Sequence, residues 1–289
     1  MRIAHIIAAH KNPLQIERLI TAMHHPNFDF YIHLDKKVAI APFQYLEELG
    51  QVYFIKDRTL CNWGGFSFVE AQLRSIDEIQ ATGLDYNFIN LISAQDYPIV
   101  SADKLYEFFL VNNGSSFISY DRSRNSDWWK EAENRYKSFH FTDMNFKMKY
   151  LIQKIANKLI SERKFPLPIK LYGGNRSCWW TITSEAAAYL SAYFKANPKM
   201  MRFLRLTWGS DEFIMASILM NSPYKDKLVN ENYRYIDWSG GKAHPEILKV
   251  KDAEAIIHSG MLFARKFDLE TDSDILHLLD QNILSQKLT

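Results

Sequence analysis

Apolar and polar positions alternate with two periods along the first half of the chain. Ile3-Ala4-His5-Ile6-Ile7-Ala8-Ala9 is almost uninterrupted apolar sequence and reads as a buried first strand. Asn12-Pro13 then opens a helix through about Met23, with Ile16, Leu19 and Ile20 on one face. Phe30–Leu34 predicts a second strand that ends at Asp35-Lys36-Lys37, and Val52–Ile55 a third. Phe66 to Gln80 is helical in pattern. Tyr86–Ile92 gives a fourth strand, running out into Ser93-Ala94-Gln95-Asp96-Tyr97-Pro98. Strand and helix alternate, so the class is α/β with a mixed central sheet flanked by helices. Each strand ends in polar residues, and open α/β sheets bind ligands just beyond such ends.

The second half has a different rhythm. From Met144 to Ser161 apolar residues recur at Met144, Met148, Leu151, Ile152, Ile155 and Leu159, opposed by Lys147, Lys154 and Lys158. This is a helical stripe, and its simplest reading packs the stripe on the sheet and turns the lysines to solvent. Ser177–Ile182 reads as a further strand, and Ser184 as the cap of an alanine-rich helix. Asp211 begins a helix through Leu219, and a last helix covers Asp272 to Ser285. No repeat or flexible linker divides the sequence. We read residues 1–289 as one domain in two halves, 1–120 with a nucleotide-binding layout and 121–289 with this second rhythm.

Composition narrows the function. The apolar runs fall far short of the roughly 18 residues of a spanning helix, and the N-terminal run is too short for a signal segment. Two cysteines, Cys61 and Cys178, suit a reducing compartment, so a cytoplasmic protein is expected. A net charge of +2 is too small for general nucleic-acid affinity. The charge is uneven, however: Asp121 to Lys170 holds 12 Lys/Arg against 6 Asp/Glu. That segment also carries Trp128, Trp129, Tyr136, Phe139, Phe141, Phe146 and Tyr150, suited to sugar rings, anionic glycans or an anionic membrane surface.

No G-x-G-x-x-G follows the first strand, and no P-loop, H-E-x-x-H or paired C-x-x-C is present. Asp211-Glu212 is either an acidic first helical turn or a carboxylate base at the mouth of a site. Arg265-Lys266, set in Leu262-Phe263-Ala264-Arg265-Lys266-Phe267-Asp268, is a strand edge or a pair of cations aimed at a diphosphate. Trp63-Gly64-Gly65 allows a tight turn beside a flat aromatic face, and Asp35 ends a strand where it can accept hydrogen bonds from a uracil or ribose.

Six stretches occur in one order: His10-Lys11-Asn12-Pro13, Ile32-His33-Leu34-Asp35-Lys36-Lys37, Trp63-Gly64-Gly65-Phe66-Ser67, Leu91 to Pro98, Asp211-Glu212, and Phe263 to Asp268. In that order they resemble the core-2/I-branching enzyme family, glycosyltransferase family 14, over about His5 to Leu279. That family includes β-1,6-N-acetylglucosaminyltransferases and peptide O-xylosyltransferases. The resemblance implies a GT-A type fold and an inverting transfer from a UDP-sugar donor to a hydroxyl of a glycan or lipid-linked glycan. Glu212 matches the catalytic base, and Lys266 the cation on the donor diphosphate. Arg265 matches the xylosyltransferase-like version of that motif. Asp35 and Trp63 resemble donor positions, while Asp96, Trp180, Asp211 and Trp238 are expected on the substrate side. A further diphosphate cation of the branching enzymes counts back to Ala243, between Lys242 and His244.

GT-A enzymes commonly hold a divalent ion with D-x-D at the end of the fourth strand, where this chain offers only Asp96. Asp272-Ser273-Asp274 is better read as a helix cap. Fixed Arg and Lys can supply the same electrostatic stabilisation, so no metal cofactor is expected. The chain looks like a bacterial, stand-alone catalytic domain that acts in surface polysaccharide synthesis, in the cytoplasm or peripherally at the inner face of the membrane. A non-catalytic nucleotide-sugar or glycan binder of the same fold is the alternative.

Overall fold

The run Ile3–Ala9 forms β1, at the centre of the main sheet. Its side chains alternate: Ile3 and Ile7 enter one core, Ala4 and Ile6 the other. A strand buried on both faces has no use for polar alternation, which explains its continuous apolar sequence. The computed structural model describes residues 1–241 and 244–285. After β1 come α1 (Pro13–Ala22), β2 (Phe28–Leu34), β3 (Val52–Phe54), α2 (Ser67–Ala81), β4 (Phe88–Ser93), β5 (Asp96–Pro98), α3 (Ala102–Val111) and β6 (Ser116–Ile118). The second half holds α4 (Asp127–Lys137), α5 (Lys149–Leu159), β7 (Trp180–Thr183), α6 (Ser184–Ala196), α7 (Pro198–Leu204), α8 (Ile214–Met220), β8 (Leu228–Val229), β9 (Arg234–Ile236), α9 (Ala253–Ile257), β10 (Phe263–Arg265) and α10 (Asp274–Ser285).

Among the described residues the main sheet runs in the order β3-β2-β1-β4-β7-β6-β8. Its first four strands are parallel, and β7 is antiparallel to both β4 and β6. A small sheet, β5-β10-β9, stands beyond the end of β4. This is the mixed α/β sheet expected from the pattern. One core joins α1, α9 and α10 to the sheet; the other joins α2, α6 and α8. Each fully buried Ile, Leu or Phe there contributes about 1.5–3 kcal/mol.

The order in which strands are added reverses between β1 and β4: successive strands step outward to β2 and β3, then return to the other side of β1. That reversal opens a crevice at the carboxyl ends of β1 and β4, where a ligand can lie. Asn12 opens α1 beside it, its side chain accepting from Gln15 N at 3.2 Å with Pro13 in the first turn.

Several expected boundaries shift. Thr183, rather than Ser184, caps α6 by accepting from Ala186 N. Asp211 does not begin the helix to Leu219: Ser210–Glu212 is a 3-10 turn, broken from α8 at Phe213. The largest departure is α5, which buries none of its residues. Its apolar stripe faces outward, contrary to the packed reading.

The two sheets are joined by a buried cation. Arg234, on β9, is fully buried and donates to Asn90 Oδ1 (2.7 Å), Leu91 O (2.9 Å) and Asn232 O (2.6 Å). Asn90 in turn accepts from Thr181 Oγ1 and contacts His5 Nδ1. Burial, then the charge of Arg234, lowers His5 to about 3, so its ring stays neutral. Arg234→Met removes one member of a buried charge network and strands a carbonyl of β4. We expect it to lower unfolding free energy by about 3–5 kcal/mol, read as a lower urea midpoint. A loss below about 1 kcal/mol, within the range of ordinary surface changes, would show that the sheets do not rely on this contact.

Candidate active site

Three strand ends form the floor of the crevice. β1 delivers His10 and Lys11, β2 delivers Asp35, and β4 leads through Ala94 and Gln95 into β5. Asp35 is almost fully buried, and its Oδ1 accepts from Lys37 N at 2.9 Å and Cys61 N at 3.4 Å. The Arg58 guanidinium braces the same turn through Leu34 O and Asp35 O. The carboxylate is therefore held in one orientation by backbone donors.

Opposite Asp35 lies a group of cations. Lys11 reaches Asp268 at 2.6 Å. Burial, then Arg265 and Lys11, pushes the Lys266 amine down from its ordinary value. Burial, Lys11 and Lys266 do the same to His10, against the pull of Asp35 and Asp268. Positive groups crowded enough to depress one another are stabilised by an anion placed among them. The peptide bond between Arg265 and Lys266 is cis.

Arg265 is oriented from behind. Its Nε donates to Asp96 Oδ1 at 2.8 Å, and its guanidinium lies 4.2 Å from the centre of the Trp179 ring. Asp96 is completely buried and also accepts from Ser93 N. Burial raises its carboxyl above the usual range, and Arg265 and Arg234 pull it back. The expectation that Asp96 meets substrate is corrected: it is the buried counter-ion of Arg265. Trp180 is corrected likewise. It points into the core beneath α6 and α8, fully buried, whereas the preceding Trp179 faces Arg265.

Glu212 sits at the end of the 3-10 turn Ser210–Glu212. Two donors converge on its Oε2, Trp128 Nε1 at 2.7 Å and the guanidinium of Arg135. Both come from α4, within the basic segment. Among the described residues no donor reaches Oε1. Arg135 is itself flanked by the rings of Trp208 (4.5 Å) and Trp128 (5.4 Å). The backbone packs tightly here: Gly174 N donates to Glu212 O at 3.0 Å, and a Cβ on Gly173 would come within 2.6 Å of that same oxygen. Only glycine fits this approach.

Trp63 stands at the rim, 68% exposed, edge-on to Trp208 at 5.1 Å. Gly64 has φ 71° and lies against Trp208, where a Cβ would meet the indole nitrogen at 2.2 Å. On Gly65 a Cβ would strike Asp143 at 2.1 Å. Asp143 caps α2, accepting from Ser67 N (2.8 Å) and Ser67 Oγ (2.7 Å). Trp238 is half-buried, two residues beyond the Ile236–Arg265 rung of the small sheet. The segment after it returns over Lys266, with Leu248 N donating to Lys266 O. His244 is exposed, and Lys242 and Ala243 lie outside the described residues. Asp272 Oδ1 caps α10 by accepting from Asp274 N and Ile275 N, as the capping reading expects.

The segment 174–179 links the two halves of the site: Gly174 N donates to Glu212 O, and the Trp179 ring lies against Arg265. Half-buried Cys178 stands between them in the chain, its thiol pushed up by burial and Asp211, with Glu212 and Asp96 adding and Arg265 opposing. The structure thus brings Glu212 and Asp211 towards Arg265 and Lys266, with Asp35 and Lys11 along the strand ends. Sequence reasoning did not pair Arg135 with Glu212; it named Trp128 only among aromatics suited to sugar rings, and Lys11 only within the His10–Pro13 stretch, without a role. The second Gly-Gly pair, Gly173-Gly174, and the Trp128-Trp129 pair were the available signals.

A model of the family described as Core-2/I-Branching enzyme matches residues 3–257. The chain is similar to xylosyltransferase 2 of Rattus norvegicus, 27% identical over 307 aligned residues, covering 97% of this chain and 33% of that protein. It is similar to xylosyltransferase 1 of Canis lupus familiaris at 26% identity over 305 residues, covering 97% and 30%. The chain spans about a third of the length of the curated relatives it matches. Among solved structures, mouse xyloside xylosyltransferase 1 in its apo form aligns with a TM-score of 0.42 and 12% identity, covering 91% of this chain and 97% of that one.

Burial and the neighbouring Glu212 carboxylate push Asp211 up to about 7. Its ordinary value is about 4. Between those values the folded chain keeps a proton that the unfolded chain has released, so this group's contribution to stability falls as pH rises and levels off above about 7. Asp211→Asn removes that fall. We expect the stability of the variant relative to the parent to grow by roughly 3–4 kcal/mol from about pH 4 to above pH 7. Urea midpoints at the two pH values measure it, and parallel pH profiles would sink the assignment.

Proposed function

The chain belongs to the core-2/I-branching enzyme family, and on that premise we propose that it is an inverting glycosyltransferase that moves a sugar from a UDP-sugar to a glycan hydroxyl. The observation that carries this reading is Glu212. Its Oε2 is anchored by Trp128 and Arg135, while no donor among the described residues holds Oε1, and this supports Oε1 as the oxygen left to take a substrate proton. A carboxylate that only bound sugar would not need such one-sided anchoring.

In this mechanism Glu212 Oε1 takes the proton of the acceptor hydroxyl as that oxygen bonds to the anomeric carbon. The bond from that carbon to the UDP oxygen breaks on the opposite face, which converts an α-linked donor to a β-linked product. The electron pair leaves on the diphosphate. Lys266 and Lys11 stabilise it, with the charge of Arg265 behind them. Asp35 receives the nucleoside at the end of β2, and the exposed ring of Trp63 offers a stacking face. Trp238 lines the acceptor side.

Metal independence is part of the proposal. It is supported by what Asp96 does: its carboxylate is spent on Arg265, so the D-x-D position offers no open ligand. The names of the relatives favour xylose as the sugar, with N-acetylglucosamine the second choice. A growing surface polysaccharide is the acceptor class to test first.

Glu212→Gln should bind UDP within about twofold of the parent and lose roughly 100-fold or more in turnover, the scale of general-base loss. Full activity in that variant overturns the assignment. Slow UDP release from a panel of UDP-sugars, followed without acceptor, separates a transferase from a mere binder. Excess EDTA should leave the rate unchanged. A loss restored by added manganese would make the enzyme metal-dependent.

A further inference from the structure

The helix α5 is attached by its polar side. Gln153 Oε1 accepts from Phe141 N at 2.8 Å, and Asn157 both accepts from Phe139 N (2.7 Å) and donates to Phe139 O (2.9 Å). Lys149 Nζ donates to Thr142 O and Met144 O. Met148, Leu151, Ile152, Ile155 and Leu159 share the opposite, outward face, and each is between 46% and 76% exposed. Met144, Phe146 and Ile160 extend it, all exposed. A continuous apolar face of this size marks a place where something binds.

Charge says what. From Met144 to Ser161 there are four lysines, Lys147, Lys149, Lys154 and Lys158, and no Asp or Glu. Just after the helix, Arg163 and Lys164 join Arg124, Lys137 and Lys170 around a shallow cavity of about 390 Å³, with Glu162 the one acid in its lining. A second copy of this face would bring lysines against lysines. No helix among the described residues is long and apolar enough to cross a membrane. An apolar arc bordered by lysines on a short helix suits the plane of a lipid–water interface, with side chains among the acyl chains and ammonium groups among anionic headgroups.

We propose that α5 docks this protein peripherally on an anionic lipid bilayer, with the basic cavity taking up headgroup phosphates beside it. Its polar tether, Phe139–Met144, contains the approach to Asp143, which caps α2 beside the Trp63 loop. The docked face therefore lies one loop away from the candidate site. On the transferase reading this delivers the site to a lipid-linked glycan; the docking itself does not depend on that reading.

The test is co-sedimentation of the full chain with phosphatidylcholine vesicles, with and without phosphatidylglycerol, at low and physiological salt. Binding only to the anionic vesicles, weakened by salt, is expected. Each of Lys154→Gln and Lys158→Gln should lower the partition coefficient roughly fivefold, and the double change Leu151→Asp with Ile155→Asp should abolish binding. These side chains are exposed, so the melting temperature should hold, and both UDP affinity and UDP-sugar hydrolysis in solution serve as independent readouts of the site. Equal or negligible binding to both vesicle types overturns the proposal. So does binding that survives the aspartates, or a dimer that the aspartates dissolve.

Discussion

The carboxylate of Asp96 has no access to water, and the placement of the Arg265 and Lys266 cations depends on how its charge is met. Arg265 meets it directly, and Arg234 acts from the next strand. A buried charge that loses its partner costs several kcal/mol, far more than a slipped backbone hydrogen bond. The small sheet is thus locked in one register: Arg265 opposite Asp96 on one side and Ile236 on the other. A shift of one residue would turn Arg265 to the opposite face and carry Lys266 away from Lys11 and His10. An acid that looks like a remnant metal ligand is instead what aims the cations.

What the sequence revealed and what it hid follow from the range of the forces involved. β1, β2, α1 and α2 were legible because their signals are local: a continuous apolar run, an Asn-Pro start, a helical stripe. Glu212, Lys266 and Asp35 stood out as candidates because short motifs carry them. Trp180 was misplaced because enclosure of an indole is a matter of tertiary packing: it heads β7 and is fully enclosed, while Trp179, in the bend just before that strand and also buried, lies against Arg265. At Asp211 the expected helix start gave way to a 3-10 turn, where the Gly173-Gly174 backbone packs against Glu212. That contact spans some forty positions of sequence, beyond any local pattern.

The helix α5 shows a different limit. Periodicity correctly predicted a helix with one apolar face, but an amphipathic pattern says which residues share a side, not what covers it. Gln153 and Asn157 settled the matter by bonding to the backbone of Phe139 and Phe141, which turned the polar side inward. Two amides satisfying three backbone groups are worth a few kcal/mol at most. The apolar face left outside is thermodynamically costly in water, and only a partner removes that cost.

These facts make the basic segment more than an insertion between the two halves. α4 anchors Oε2 of Glu212 through Trp128 and Arg135; Asp143 holds the first turn of α2; α5 follows directly and faces outward. Gly64 and Gly65 let Trp208 and Asp143 close on the Trp63 loop at distances no larger residue allows. Glu212, the Trp63 loop and the outward helix are consequently bonded to one stretch of chain. Any force that orders or displaces α5 acts on Phe139–Met144, and through Asp143 on the loop that carries Trp63. The route is a set of named hydrogen bonds, which makes the outer face of this segment part of the site's mechanical support.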